Sequence, residues 1–249
     1  MSRKPLVIAH EGWENNSPHT IDSISAAFAA GADMVEIDVR ATRDRVVVLH
    51  HDPSLIVGGR QVELAAMSFG QLRPRERASE RGDGGSFPLA SLEDALVLAR
   101  SRGGALNLDV KDDAVIDPAA RLIRSMGMES SVILTGCEAA RARRVRKRHP
   151  SLQVMLNVAE EDYALGRTDR RRFTEQICSQ AVAAGCCGIN LQFAHCDAAL
   201  VEYAAMRYLP VSAWTVDSVD DLERLVSLGV HSITTNRVRA LVNLLGASP

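Results

Sequence analysis

The chain of 249 residues, 46% of them apolar, is long enough for one large barrel or sandwich or for two small domains. A formal net charge of −2 supplies no global field for recruiting nucleic acid or an acidic membrane surface, and no stretch reads as a signal peptide or a bilayer-spanning run. Five cysteines (Cys137, Cys178, Cys186, Cys187, Cys196), odd in number and without a C-x-x-C pair, argue against a disulfide framework or zinc knuckle and fit a reducing, cytoplasmic setting.

In chain order, short apolar runs read as strands at 5–9, 34–39, 45–50, 105–110, 131–135, 152–158, 188–192, 211–216 and 232–236. Amphipathic stretches fill most of the gaps. Ser91-Leu92-Glu93-Asp94 has the form of a capping box, and Gly103-Gly104 closes the helix it opens. Ser218-Val219-Asp220-Asp221 opens another, ended near Gly229. The βαβα rhythm and the apolar strands suit a parallel sheet with helices on its outside. With this many units the expected fold is α/β, a TIM-type (β/α)8 barrel, rather than an open doubly wound sheet. No G-x-G-x-x-G follows any strand, so dinucleotide binding has no support.

Nine strand candidates are one too many for eight barrel strands. Only ATRDR separates the runs at 34–39 and 45–50, which is too short for a crossover helix and predicts a hairpin turning near Arg43-Asp44. In that register position 36 faces position 51. Residues 52–90 break the rhythm with Gly58-Gly59 and the charged run RPRERASERGDGG at 73–85, and are expected to form an insertion or lid at one end of a single domain spanning 1–249.

Acids and imidazoles within apolar strands are the anomaly that points to chemistry. His10 ends the first strand. Glu36 and Asp38 stand two apart in VEIDV, on one face; His51-Asp52 ends the next run; Asp109 and Lys111 end LNLDVK, again two apart. Buried unpaired carboxylates cost several kcal/mol, and three converging on one mouth repel one another unless a cation sits among them. Pairing with rim arginines would account for one such residue. For five on four strand ends a shared metal is the better account, and oxygen-only ligands favour Mg²⁺ or Ca²⁺. Other features read more plainly. RARRVRKRH (141–149), Arg167 and the arginines at 170–172 are expected to be solvated helix faces rather than a nucleic-acid patch. His195-Cys196 reads as packing near a helix start, and His50 and His231 as packing or outward-facing groups. Trp214, on a strand ending near the mouth, stacks on a substrate or belongs to the core.

His10-Glu11-Gly12, Pro18-His19-Thr20, GADMVEIDVRATRDRVVVLHHD (31–52), FPLASLEDAL (87–96), LNLDVK (106–111), WTVD (214–217) and GVHSITTN (229–236) follow one another along the chain. Together they resemble the glycerophosphodiester phosphodiesterase family. Its corresponding motifs are His-Arg-Gly, Glu-Asn-Thr, Gly-Ala-Asp…Glu-x-Asp-Val with a Thr-x-Asp-Gly turn and His-Asp, Pro-Thr-Leu-Glu-Glu, Asn-Ile-Glu-Ile-Lys, Trp-Thr-Val-Asn and Gly-Val-Asp-x-Ile-x-Thr-Asp. The likeness covers essentially the whole chain. It implies a barrel with a short insertion after the His-Asp strand, a divalent metal on Glu36, Asp38 and Asp109, and acid–base catalysis by His10 and His51. Lys111 would hold a non-bridging phosphate oxygen, and the family position tilts Trp214 toward substrate. The departures are Glu11 in place of arginine, Glu14 as a shifted stand-in for the Glu-Asn-Thr glutamate, Asp109 for glutamate, and Asn236 for the late aspartate.

The implied function is metal-dependent hydrolysis of a small phosphodiester to an alcohol and a phosphomonoester. A lyase or transferase releasing a cyclic phosphate and a catalytically inactive phosphodiester-binding barrel are the alternatives. The partner is a small-molecule phosphodiester, with neither nucleic acid nor membrane insertion expected. A carboxylate at Glu11 beside the phosphate would favour a substrate with a hydroxyl-rich or cationic group near phosphorus.

Overall fold

A computed structural model describes residues 4–57, 60–72, 77–78, 86–87 and 89–247. In chain order the strands are β1 (Leu6–Ala9), β2 (Met34–Ala41), β3 (Val47–Leu49), β4 (Ser54–Val57), β5 (Arg60–Glu63), β6 (Arg77–Ala78), β7 (Ser86–Phe87), β8 (Ala105–Val110), β9 (Val132–Thr135), β10 (Gln153–Asn157), β11 (Gly188–Gln192), β12 (Val211–Trp214) and β13 (Ser232–Thr235). The helices are α1 (Ile21–Ala29), α2 (Phe69–Leu72), α3 (Leu92–Arg102), α4 (Ile116–Ser125), α5 (Ala139–Arg148), α6 (Glu160–Thr168), α7 (Arg170–Ala184), α8 (Ala198–Ala205), α9 (Val219–Leu228) and α10 (Val238–Ala247).

Parallel pairing runs β1-β2-β8-β9-β10-β11-β12-β13 and returns to β1, so eight strands close the barrel that the βαβα rhythm predicts. Along β8, Leu106, Leu108 and Val110 are buried among the apolar side chains under the helices, while the alternating Asn107 and Asp109 face the cavity at the mouth. Both expected caps form. Ser91 and Asp94 make a reciprocal capping box with Gly103 in the left-handed region at the other end of α3, and Ser218 caps α9, which Gly229 ends. No helix among the described residues is long and apolar enough to cross a membrane.

β2 runs past the rim and turns back into β3, as the short ATRDR spacing predicts, but the register is one residue away from the expected one. Val39 pairs with Leu49 and Ala41 with Val47, so position 38 rather than 37 stands opposite 50, and the His50 N–H donates to the Asp38 carbonyl at 3.0 Å. The cause is the turn. It centres on Asp44, which accepts from Thr42 Oγ1 at 2.6 Å, while Val46 N–H donates to the same hydroxyl and Arg45 takes up a φ of 64°. His51 is still delivered to the mouth, because Arg40 Nε donates to its carbonyl at 2.7 Å.

Beyond His51, β4 and β5 form an antiparallel hairpin with its own small apolar cluster of Val48, Leu55, Val57, Leu64, Leu72 and Leu89. β6 pairs with β7. Most of the charged run at 73–85 lies outside the described residues.

The basic helix α5 presents the expected solvated face, with Arg143, Arg144, Lys147 and Arg148 exposed. Arg141 and Arg144 make surface pairs with Asp113, and Arg148 and the buried His149 pair with Asp117 at the start of α4. Arg170 likewise pairs with Asp197.

Candidate active site

Active-site residues of (β/α)8 barrels sit at the carboxyl ends of the strands. Here His10, Glu11, Glu36, Asp38, His51, Asp109, Lys111 and Trp214 all line one cavity of ≈ 270 Å³ at that end. The two-residue period of a strand explains the gathering. Glu36 and Asp38 share the inward face of β2, Asp109 and Lys111 share that of β8, and Asp38 pairs with Asp109 in register.

Oxygens of Glu36, Asp38 and Asp109 all lie within 4.8 Å of one another. Burial, and then the charges of Asp38 and Asp109, push the Glu36 carboxyl well above its ordinary value. Burial also works against Asp38, but a hydrogen bond with Glu11 and the Lys111 ammonium outweigh it and hold Asp38 below the ordinary carboxylate range. Lys111 Nζ lies 2.7 Å from Asp38 and 3.0 Å from Asp109. Although burial disfavours its charge, those two carboxylates keep Lys111 protonated well above its usual range. One ammonium against three carboxylates, two of them buried, leaves a donor set suited to a hard divalent cation.

The two imidazoles are anchored from behind. Asn236 donates its Nδ2–H to Asp217 at 2.9 Å, which turns its Oδ1 toward His10 Nδ1, 3.1 Å away. An amide oxygen only accepts, so His10 Nδ1 carries a hydrogen, and in the neutral ring the lone pair is on Nε2, 3.9 Å from Glu36. His51 Nδ1 lies 2.8 Å from Asp52 Oδ1, and the hydrogen bond holds the Asp52 carboxyl below its ordinary range. Neither Asn236 nor Asp52 lines the cavity, so both rings meet it through their other side.

Glu11 is a cavity wall, and its carboxylate already pairs with the buried His19 while contacting Asp38. His19 in turn lies against His50, with ring centroids 5.6 Å apart. Glu14, the shifted stand-in read from the sequence, turns away to pair with Arg239 on α10. Two pairs of sequence departures therefore meet in space, Glu11 with His19 and Asp217 with Asn236. His19 and Asn236 had escaped selection as site residues, although both stand where the motifs change. Asn107, Thr135, Asn157 and Asn190 also line the cavity and were missed, because short neutral side chains in apolar strands raise no charge anomaly. The cysteines take no part in it: all five are free, and burial pushes Cys137 and Cys196 up to about 12.

Gly136, just after β9, has a φ of 66°, and a Cβ there would stand 2.0 Å from Asp109 Oδ1 and 2.8 Å from the Val110 backbone. Gly136→Ala is expected to cost about 1–3 kcal/mol in urea unfolding and to weaken divalent-metal binding by displacing Asp109. Unchanged stability together with unchanged metal affinity would refute this account of the glycine.

The profile of the Glycerophosphoryl diester phosphodiesterase family matches residues 10–240, nearly the whole chain. The chain belongs to that family. It is accordingly an enzyme of the phosphoric diester hydrolase class, and its carboxyl-end cavity is the candidate active site of a family member. Among curated relatives, a glycerophosphodiester phosphodiesterase of Caldanaerobacter subterraneus subsp. tengcongensis is 25% identical over 252 residues, covering 97% of this chain and 98% of the relative. Glycerophosphodiester phosphodiesterase GDPD4 of Arabidopsis thaliana is 26% identical over 243 residues, covering 93% of this chain and 70% of its own. An Oleispira antarctica phosphodiesterase solved with the product sn-glycerol-3-phosphate shares the fold, with a TM-score of 0.80 at 17% identity and 98% of each chain covered.

Proposed function

We propose that this family member hydrolyses a small glycerophosphodiester to an alcohol and a phosphomonoester, with Glu36, Asp38 and Asp109 holding a divalent cation and His10 and His51 exchanging protons with the substrate. The observation that carries the reading is the convergence of three carboxylates, a lysine and two back-anchored imidazoles on one cavity. The cation, Mg²⁺ or Ca²⁺ for an all-carboxylate set, would polarise the phosphoryl oxygens and offset their developing charge.

Lys111, the cation nearest the carboxylates, would bind a non-bridging oxygen. His10 presents an Nε2 lone pair and has only an amide behind it, which suits it to accept the proton of the attacking hydroxyl or water. His51 has the Asp52 carboxylate as counter-charge for its protonated form, which suits it to donate to the leaving alcohol. Glu11, buttressed by His19, keeps Asp38 in place and adds hydrogen-bonding capacity to the wall beside the phosphate. Product sn-glycerol-3-phosphate in the Oleispira structure supports a glycerol-bearing phosphomonoester as the product here too. Free thiols throughout favour a reducing compartment, and we assign the activity to the cytoplasm as that of a single unit, with the β4–β5 hairpin of the 52–90 segment as an appendage to the barrel.

The test is a panel of glycerophosphodiesters incubated with the purified protein and divalent metal, with products read by phosphorus NMR. Phosphomonoester formation is the expected result. A ring phosphate as the final product would convert the reading to a cyclising lyase, and no turnover of any diester would overturn it.

A further inference from the structure

The side of the cavity opposite the carboxylates is polar in a way the chemistry above does not use. In the ring of strands β11 stands diametrically across from β2. Its Asn190 is only 6% exposed, and its neighbour Asn157 belongs to β10. The Gly136 N–H donates to Asn157 Oδ1 at 2.8 Å, which identifies that atom as the oxygen. Asn190 Nδ2 therefore donates to the same oxygen at 3.4 Å, and Asn190 Oδ1 is turned away from Asn157. That buried oxygen has no hydrogen-bond partner among the described residues, and neither has Trp214 Nε1 on the adjacent β12. Both side chains line the cavity.

A buried acceptor and a buried donor left unpaired in one wall are costly until something pairs with them. The chemical group that complements both is a hydroxyl, which donates and accepts at once. An ester or ether oxygen gives nothing to Asn190, and a quaternary ammonium gives nothing to either atom. We propose that Asn190 determines specificity for a hydroxyl on the organic group that stays esterified to the phosphomonoester, with Trp214 Nε1 as the complementary donor and the Gly136–Asn157 link fixing the amide's orientation. The inference rests on the phosphodiester reading, which puts the phosphate at the β1, β2 and β8 side and so directs the organic group of the phosphomonoester across the mouth toward β11 and β12.

The experiment is a calorimetric comparison of sn-glycerol 3-phosphate with n-propyl phosphate, which lacks both free hydroxyls, on the metal-loaded protein. The wild type is expected to bind the glycerol compound at least tenfold more tightly. Asn190→Leu should reduce that ratio by about tenfold, and Trp214→Phe, which deletes the N–H and keeps a ring, should reduce it several-fold. Equal binding of the two ligands by the wild type overturns the assignment without any variant. A preference that survives in folded Asn190→Leu, or in Trp214→Phe where the leucine variant does not fold, also overturns it. Discrimination without hydrolysis of any diester would leave the subsite standing and remove the hydrolase reading. Hydrolysis without discrimination would do the reverse, and binding of neither phosphate would overturn both.

Discussion

Alanine at His10 or at His51 is expected to lower kcat by roughly 10²–10⁴-fold. The double variant should fall far short of the product of the two losses, because a proton acceptor and a proton donor act as one unit. The reason lies in the anchoring: each ring is held through Nδ1 by a residue outside the cavity, at 3.1 Å for His10 and 2.8 Å for His51. Steady-state kinetics over pH should give a bell, with each single variant losing one limb. A His51→Ala protein turning over at the parental rate would remove that residue from the mechanism.

Chelation is expected to abolish turnover, and Mg²⁺, Mn²⁺ or Ca²⁺ to restore it. Asp38→Ala and Asp109→Ala should each weaken metal binding, since both contribute oxygens to the set that lies within 4.8 Å. A second readout does not depend on catalysis. Metal bound only by the folded chain, at a free concentration 100 times its Kd, adds about 2.7 kcal/mol to unfolding, so the melting temperature should rise on reloading. Removing the cation returns Glu36 to a buried position beside two like charges with only Lys111 to offset them. Full activity in excess chelator, with no ion detected in the protein, would end the metal assignment.

Much of the barrel was legible because its signals are local. Short apolar runs marked the eight barrel strands and β3, and Ser91, Gly103, Ser218 and Gly229 did at helix ends what their side chains allow. The acids of the candidate site were legible for the opposite reason, as charges where the surrounding pattern called for apolar groups. What escaped depends on where a side chain meets another element. The hairpin register turned on whether its turn centred on Asp44 or beside it, which the composition of ATRDR leaves open. His19 and Asn236 take their meaning from Glu11 and Asp217, residues far away in the chain or across a loop. Glu14, plausible by proximity in sequence, was claimed by Arg239 on the last helix.

The partners of His10 and Glu14 have a bearing on when this protein becomes competent. His10 reaches Asn236 across 226 positions of sequence, and Glu14 reaches Arg239 across 225, both at the join between β1 and β13. His51 and the acids of β2, by contrast, are brought together by a hairpin. Loop closure over the longer span costs about 2.5 kcal/mol more than over the 13 residues from Asp38 to His51. If His10 acts as proposed, turnover requires the seam between β1 and β13 to be closed, so a substitution that loosens that seam is expected to lower activity even where the rest of the barrel stays folded.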